Sequence, residues 1–176
     1  MPTIPATHEA PTLAPRAAQI VQNLGLLPHP EGGWYRERFR SPRSVQPADG
    51  RPPRAALTTI DFLLARGQFS AWHRVASDEV WHLLEGGPLR LWTVPAAADR
   101  ITAITTITAI DLATGSSLCH VVEAGDWQAA EPLGDFAHCG ATVGPGFDFA
   151  DFSFGRDHAE LRDALARLAP ELQRLL

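Results

Sequence analysis

Histidine and acidic residues are concentrated in one short stretch of the sequence, GQFSAWHRVASDEVWHLLEG (67–86). It contains His73, Glu79, His82 and Glu85. Three imidazole or carboxylate groups that converge can bind a divalent metal, and without a metal the same groups can exchange protons with a ligand. The stretch therefore raises two hypotheses, a metal site and a metal-free acid–base site.

The alternation of side chains along a β-strand limits which of these groups can meet. Residues two apart point to the same face, so His73 shares a face with Val75, and Glu79 shares a face with Trp81 on the next strand. His82 then points away from Glu79 unless a bulge shifts the register. His73 and Glu79 can therefore project together into an enclosed space, whereas a triad that includes His82 is disfavoured.

The elements that must position these residues are short β-strands separated by glycine-rich breaks. One strand is predicted from about Trp34 to Arg40, before a polar, proline-rich loop at 41–54. Further strand segments are predicted at 56–64, 69–75, 79–85, 88–94, 101–110, 117–123, 126–130, 137–143 and 147–154. Many short strands at close spacing with glycine-rich turns are typical of an antiparallel sandwich or barrel.

A short helix is predicted at each end of the strand-rich body. Apolar residues fall at helical spacing from Arg16 to Leu24, and Gly25 stands where that helix would end. Near the C-terminus, Asp157 and Glu160 form a capping-box pattern, and Pro170 restarts or kinks the chain beyond it.

The length of 176 residues is that of one domain. We expect it to span 16–176, after a mobile, proline-rich tail at 1–15.

The composition is that of a soluble globular protein, with 45% hydrophobic and 20% charged residues. A formal charge of −5 argues against a nucleic-acid partner, and no apolar run is long enough to cross a membrane. The N-terminus has no signal-peptide pattern, so a cytoplasmic location is expected, with Cys119 and Cys139 reduced.

One motif resembles a known superfamily. The sequence reads Gly67-x5-His73-x-Val75-x3-Glu79-x6-Gly86, which is similar to the first motif of the cupins, G-x5-H-x-H-x3-E-x6-G. The second histidine of that motif is replaced by Val75. A looser match to the second cupin motif, G-x5-P-x-G-x2-H-x3-N, follows later in the chain. It is carried by Gly125, Pro132, Gly134 and His138.

Four ordered segments resemble one branch, the cupin-5 family, also called DUF985. They are LLPHPEGGWYRERFRS, HRVASDEVWHLLEGGPL, GDWQAAEP and VGPGFDFADF, and together they cover about residues 18 to 155. The resemblance implies a mostly β fold, a single cupin jelly-roll β-barrel with short flanking helices, that is commonly a homodimer. It implies no particular reaction, because the family has no established activity as a class.

The resemblance also suggests a ligand set for a metal. Cupins that bind metal usually use two histidines and a glutamate of the first motif and a histidine of the second, which here implies His73, Glu79 and His138. Since Val75 cannot coordinate, a divalent metal is an alternative and not the favoured reading. Gln128 is a conceivable oxygen donor.

Without a metal, His73 is the predicted general base, and Glu79 is the acid that tunes and orients it. Some cupin-shaped sugar-nucleotide epimerases pair a histidine base with an acidic partner and a tyrosine acid. Tyr35 is the only tyrosine in this sequence.

Aromatic, amide and arginine side chains complete the predicted pocket. The predicted ligand-binding residues are Trp72, Trp81, Gln128, Phe62, Phe149 and Arg38. An arginine pointing inward would favour an anionic ligand, because its guanidinium binds carboxylates in bidentate fashion. The alternative is that the aromatic residues fill the core and the arginines face solvent.

We therefore hypothesise a small-molecule-binding cupin with isomerase- or epimerase-like activity on a sugar-like or carboxylated metabolite. The alternatives are a non-catalytic ligand-binding or sensor module, and a metal-dependent enzyme with an incomplete ligand set.

Overall fold

Two antiparallel β-sheets face each other and enclose the core. A computed structural model describes residues 13–95, 108–112 and 117–176. Within these residues one sheet has six strands, in the order β1 (Leu27–Pro28), β2 (Trp34–Arg40), β5 (Thr58–Ala65), β12 (Phe136–Gly144), β7 (Asp78–Gly86) and β10 (Cys119–Val122). The other has five, in the order β13 (Phe152–Phe154), β6 (Ser70–Val75), β11 (Trp127–Pro132), β8 (Leu89–Val94) and β9 (Thr108–Leu112). A separate two-stranded ladder pairs β3 (Ser44–Val45) with β4 (Arg54–Ala55).

Two helices cover the outer faces of the sheets. Helix α1 (Pro15–Leu24) packs on the six-stranded sheet, where Ala17 and Ile20 contact the strand residues Leu63 and Ala65. Helix α2 (Ala159–Leu168) packs with the last 3₁₀ helix, Pro170–Leu175, on the five-stranded sheet. Further 3₁₀ helices span Phe149–Asp151 and Gly155–Asp157.

The inner core combines apolar side chains from both sheets. Phe62, Trp81 and Leu83 of the six-stranded sheet pack against Leu89 and Leu91 of the five-stranded sheet. All five are less than a tenth exposed. The core occupies one part of the space between the sheets, and a cavity occupies another part.

The predicted mostly β jelly-roll architecture is confirmed. Strand β2 has the predicted bounds, and α1 ends at Gly25, whose left-handed φ of 62° closes the helix. The two cysteines are free thiols, and of the two only Cys139 is buried. None of the helices in the described residues is long and apolar enough to cross a membrane. The predicted tail lies outside the described residues up to position 12, as does the predicted strand at 101–110 up to position 107.

Two local predictions near the C-terminus are wrong. The segment 147–154 is not one strand, because Asp148 accepts a hydrogen bond from the backbone N–H of Ala150 (2.9 Å) and starts a 3₁₀ turn. Asp157 does not cap α2, because it belongs to the preceding 3₁₀ helix and His158 takes the N-cap position without a side-chain cap.

Candidate functional site

A cavity of about 330 Å³ opens between the two sheets. His73 and Val75 of β6 line it, as do Glu79 and Trp81 of β7. This is the arrangement that strand alternation predicts. His82 is exposed, on the opposite face of β7 from Glu79, so the strand pair brings one histidine and one glutamate of the opening stretch into the cavity.

His73 is buried, and one of its ring nitrogens is held by the backbone. Nδ1 lies 2.7 Å from the carbonyl oxygen of Ala71, so Nδ1 carries the proton of the neutral ring and donates it there. Phe152 of the neighbouring strand β13 stacks on the imidazole with ring centroids 5.5 Å apart. Burial lowers the pKa of His73, and the nearby charge of Glu79 partly opposes this shift. No group in the described residues hydrogen-bonds to Nε2, so its lone pair is available as a base.

Glu79 is the second buried titratable group of the cavity. Its Oε2 accepts a hydrogen bond of 2.6 Å from Nε2 of Gln128. Burial raises the pKa of Glu79 to about 7; the charge of Glu31 adds to this, and His73 and Gln128 counteract it. A carboxyl with this pKa can give or take a proton near neutral pH.

Gln128 supports Glu79 from behind the cavity wall. It is fully buried, stands opposite His73 in the β6–β11 register, and is absent from the lining. Nε1 of Trp81 donates to its Oε1 at 2.8 Å. Because an indole N–H can only donate, the amide must turn its oxygen to Trp81 and its nitrogen to Glu79. Gln128 therefore positions Glu79, and the prediction that it contacts the ligand is corrected.

Two titratable residues close to His73, both outside the predicted site set, come from one turn of the chain. His29 and Glu31 lie in the turn between β1 and β2, and both line the cavity. Oε2 of Glu31 accepts a hydrogen bond from Ser70 Oγ (2.8 Å) and lies 3.4 Å from Nδ1 of His73. Glu31, and not Glu79, is therefore the carboxyl next to the His73 ring. Burial raises the pKa of Glu31 and lowers that of His29.

Gly33 allows this turn to lie close against strand β5. Gly33 has a φ of 70°, and a Cβ there would lie 2.6 Å from the carbonyl oxygen of Leu63. The backbone N–H of Ala71 donates to the carbonyl of Glu31 (2.9 Å) and fastens the turn to β6. The HPEGG sequence was the available signal, since a histidine and a glutamate next to two glycines can form a tight polar turn.

A bulge in β2 decides which arginine reaches the rim of the cavity. The pairing of β2 with β5 shifts register between Glu37 and Phe39, so Glu37 and Arg40 both line the cavity. Arg38 instead points to the outer face, where its Nη1 donates to both oxygens of Asp61 at 2.9 and 3.1 Å. The prediction that Arg38 binds the ligand is therefore corrected.

His138 lies on the wrong face for a metal site. It pairs with Leu63 on the outward-facing side of β5, and its Nε2 lies 3.1 Å from Oδ1 of Asp61. The resemblance-based ligand set His73, Glu79 and His138 therefore does not assemble. Among residues 13–95, 108–112 and 117–176, no three His, Cys, Asp or Glu side chains are placed to hold a metal ion. The residues present do not fit the cupin metal.

The predicted aromatic residues divide between the cavity and the outer core. Phe62 and Trp81 line the cavity, with their rings edge to face and the ring centroids 5.7 Å apart. Phe149 lies at the rim and is 63% exposed. Trp72 does not line it, because it alternates with His73 and points under α2, where its Nε1 donates to the carbonyl of Leu172. Tyr35 lines the cavity, with its ring 4.4 Å from that of His29.

Comparison with solved structures finds the same architecture elsewhere. A hypothetical protein from Leishmania major is similar with a TM-score of 0.78 and 29% identity, covering 90% of this chain and 97% of that one. A protein from Shewanella oneidensis has a TM-score of 0.74 and 26% identity, covering 90% and 96%. Oxalate decarboxylase from Bacillus subtilis shares the fold alone, with a TM-score of 0.51, 14% identity and coverage of 85% and 36%.

No curated protein matches this sequence. The family profile Cupin_5, described as Cupin superfamily (DUF985), matches residues 18–155. Because that match covers most of the sequence, the chain belongs to the Cupin_5 (DUF985) family of the cupin superfamily.

Proposed function

We propose that the protein binds a small metabolite in the cavity and exchanges protons with it, as an isomerase- or epimerase-like enzyme with His73 as the base. One observation carries the proposal: a backbone-anchored imidazole lines the same cavity as two carboxyl groups whose side chains are less than a tenth exposed. Groups of this kind perform general acid–base catalysis when their pKa values lie near the working pH.

The geometry supports distinct roles for the three groups. Nδ1 of His73 keeps its proton and donates it to the carbonyl oxygen of Ala71. Nε2 accepts a proton from the ligand. The imidazolium that forms is stabilised by Glu31, 3.4 Å from Nδ1. Glu79, with a pKa of about 7, is protonated in part of the population at neutral pH and returns a proton.

These roles balance in an isomerisation at a carbon next to a carbonyl group. The C–H bond breaks and its proton moves to Nε2 of His73, which leaves an enolate. The carboxyl proton of Glu79 then forms a new C–H bond on the opposite face of the same carbon, which gives the epimer. His73 then loses its extra proton to solvent and Glu79 takes one up, which restores both groups without a further reactant.

The homodimer predicted from the resemblance stays part of the proposal, and light scattering after size-exclusion chromatography tests it.

Hydrogen exchange in heavy water tests the catalytic step. The protein is incubated in D2O with carbonyl metabolites, including keto-sugar nucleotides, aldoses, amino ketones and oxo acids, and deuterium incorporation is followed by mass spectrometry. We expect catalysed incorporation into at least one compound that raises the melting temperature. His73→Gln should reduce it at least 100-fold, whereas His82→Gln on the outer face should leave it unchanged.

Two results would contradict the proposal. One is binding without exchange for every compound that stabilises the protein, which would favour the alternative of a non-catalytic ligand-binding module. The other is full exchange activity in His73→Gln.

A further inference from the structure

The cavity has many acidic groups and little free positive charge. Among the described residues, its only arginine or lysine is Arg40. That guanidinium is already engaged, because it donates to Glu37 at 2.7 Å and to the carbonyl oxygen of Phe147 at 3.1 Å. Asp148 adds another acidic group at the rim. An anionic ligand would therefore meet acids without a free cation to pair with.

The carboxyl groups of Glu31 and Glu79 accept hydrogen bonds only from uncharged side chains. Oε2 of Glu31 accepts from the hydroxyl of Ser70, and Oε2 of Glu79 accepts from the amide of Gln128. No arginine or lysine in the described residues forms an ion pair with either carboxyl. Buried carboxylates are normally paired with a cation, since burial without one is costly. The pair is therefore complementary to a positive charge.

The rest of the wall also suits a cation with N–H donors. The neutral ring of His73 offers an acceptor through Nε2, because Nδ1 donates to Ala71. Phe62, Trp81 and Phe147 also line the cavity, and the electron-rich faces of aromatic rings attract ammonium groups.

We propose that the ligand is a small primary amine in its protonated form, with the ammonium group between Glu31 and Glu79 and an apolar or ring-shaped body against the aromatic wall. The volume of about 330 Å³ suits a small compound, since ligand pockets span about 300 to 1,000 Å³. This replaces the carboxylated metabolite expected from sequence. It deepens the proposed function, because it assigns a ligand class to the same cavity.

Matched isosteres test the charge preference. Benzylamine, phenethylamine and cyclohexylmethylamine are each compared with the alcohol and the carboxylate of the same skeleton, by calorimetry and thermal shift at pH 7.5. We expect at least one amine to bind tenfold or more tightly than its alcohol, and the carboxylates to cause no shift. A carboxylate that binds as tightly as its amine would overturn the proposal. So would failure of all three amines to bind at 10 mM.

Substitution of the inner acid tests the location. Glu79→Gln removes the charge but keeps an oxygen that can accept from Gln128, so the fold should be retained. Amine affinity should fall at least tenfold while alcohol affinity stays unchanged. The control is Glu85→Gln, at the outer-face partner of Arg16, which should bind amines normally. Equal amine affinity in Glu79→Gln and wild type would refute the placement.

The outcomes separate this inference from the catalytic proposal. An amino ketone that binds without deuterium exchange contradicts proton-transfer catalysis and leaves the cation site standing. Exchange in a carboxylated compound, with no amine bound, contradicts the cation site and leaves the catalysis standing.

Discussion

Nδ1 of His73 lies 3.4 Å from Oε2 of Glu31, so a turn outside the cupin motif supplies the carboxyl nearest to the imidazole. Glu79, inside the motif, hydrogen-bonds to Gln128 and influences His73 through its charge. The acid–base group of the cavity is thus assembled from two separate parts of the chain. Its behaviour depends on how each part is held in place.

Glu79 makes the stability of the protein depend on pH. Its pKa is about 7 in the folded state and near the ordinary 4.5 when unfolded, so the folded state binds this proton more tightly. The contribution of Glu79 to the free energy of unfolding is fully present below pH 4.5 and is lost as pH rises through 7. The total loss is on the order of 3 kcal/mol. Glu79→Gln should therefore gain unfolding free energy relative to wild type between pH 4.5 and 8.

Urea unfolding at several pH values measures this difference. His29 and His73 act in the opposite sense, because their pKa values are lowered and the unfolded state takes up their protons as pH falls. Both histidines are present in the two proteins, so the comparison at each pH reports Glu79 together with its charge interactions with His73 and Glu31. Stability curves that stay parallel for Glu79→Gln and wild type across this range would contradict the prediction.

Gln128→Met should destabilise the protein by about 2–4 kcal/mol. The substitution keeps the volume but leaves the N–H of Trp81 without an acceptor and Glu79 without a donor, and unsatisfied buried groups cost about 1–3 kcal/mol each. Chemical denaturation measures the change. Gln22→Met on the exposed side of α1 should stay within about 0.5 kcal/mol of wild type. Similar losses in the two variants would contradict a specific role for Gln128.

Gly33→Ala should lower stability by about 2–4 kcal/mol and weaken ligand binding. It places a Cβ 2.6 Å from the Leu63 carbonyl at a left-handed φ of 70°, so the turn that carries Glu31 must move. Gly25→Ala has a similar φ of 62° but no neighbour within 4 Å, so it should lose only about 1 kcal/mol. Thermal unfolding of both variants is the measurement, and equal losses would show that the close approach is unimportant.

Asp151→Asn should loosen the aromatic segment at the rim. The side chain of Asp151 is only 6% exposed; it accepts two hydrogen bonds from Arg54 and one from Arg51, and these cations lower its pKa. Breaking a buried pair leaves Arg54 partly uncompensated, so we expect a loss on the order of 3 kcal/mol at pH 7.

The exposed ion pair of Arg66 and Asp135 supplies the control for that substitution. Asp135→Asn should cost less than about 1 kcal/mol. The Asp151 contribution should also fade as pH falls below 3.8, since the pKa is depressed in the folded state. A loss that persists unchanged at pH 2.5 would contradict an electrostatic origin.

The sequence by itself determined the strand-rich architecture and the placement of His73 and Glu79 in the same cavity. Both follow from local rules: glycine-rich breaks separate the strands, and alternation assigns each side chain to a face. The same rule kept His82 away from Glu79. These features depend on residues close together in the chain, and for that reason they can be read from the printed sequence.

Only the tertiary structure decided the chemical surroundings of those residues. The bulge after Glu37 turned Arg38 outward and brought Arg40 to the rim, and a bulge is set by pairing with β5. Long-range packing placed Glu31 beside His73, and it left His138 on the outer face with Asp61. Local patterns specify the face of a strand, but which distant side chains meet there depends on how the sheets and turns pack together.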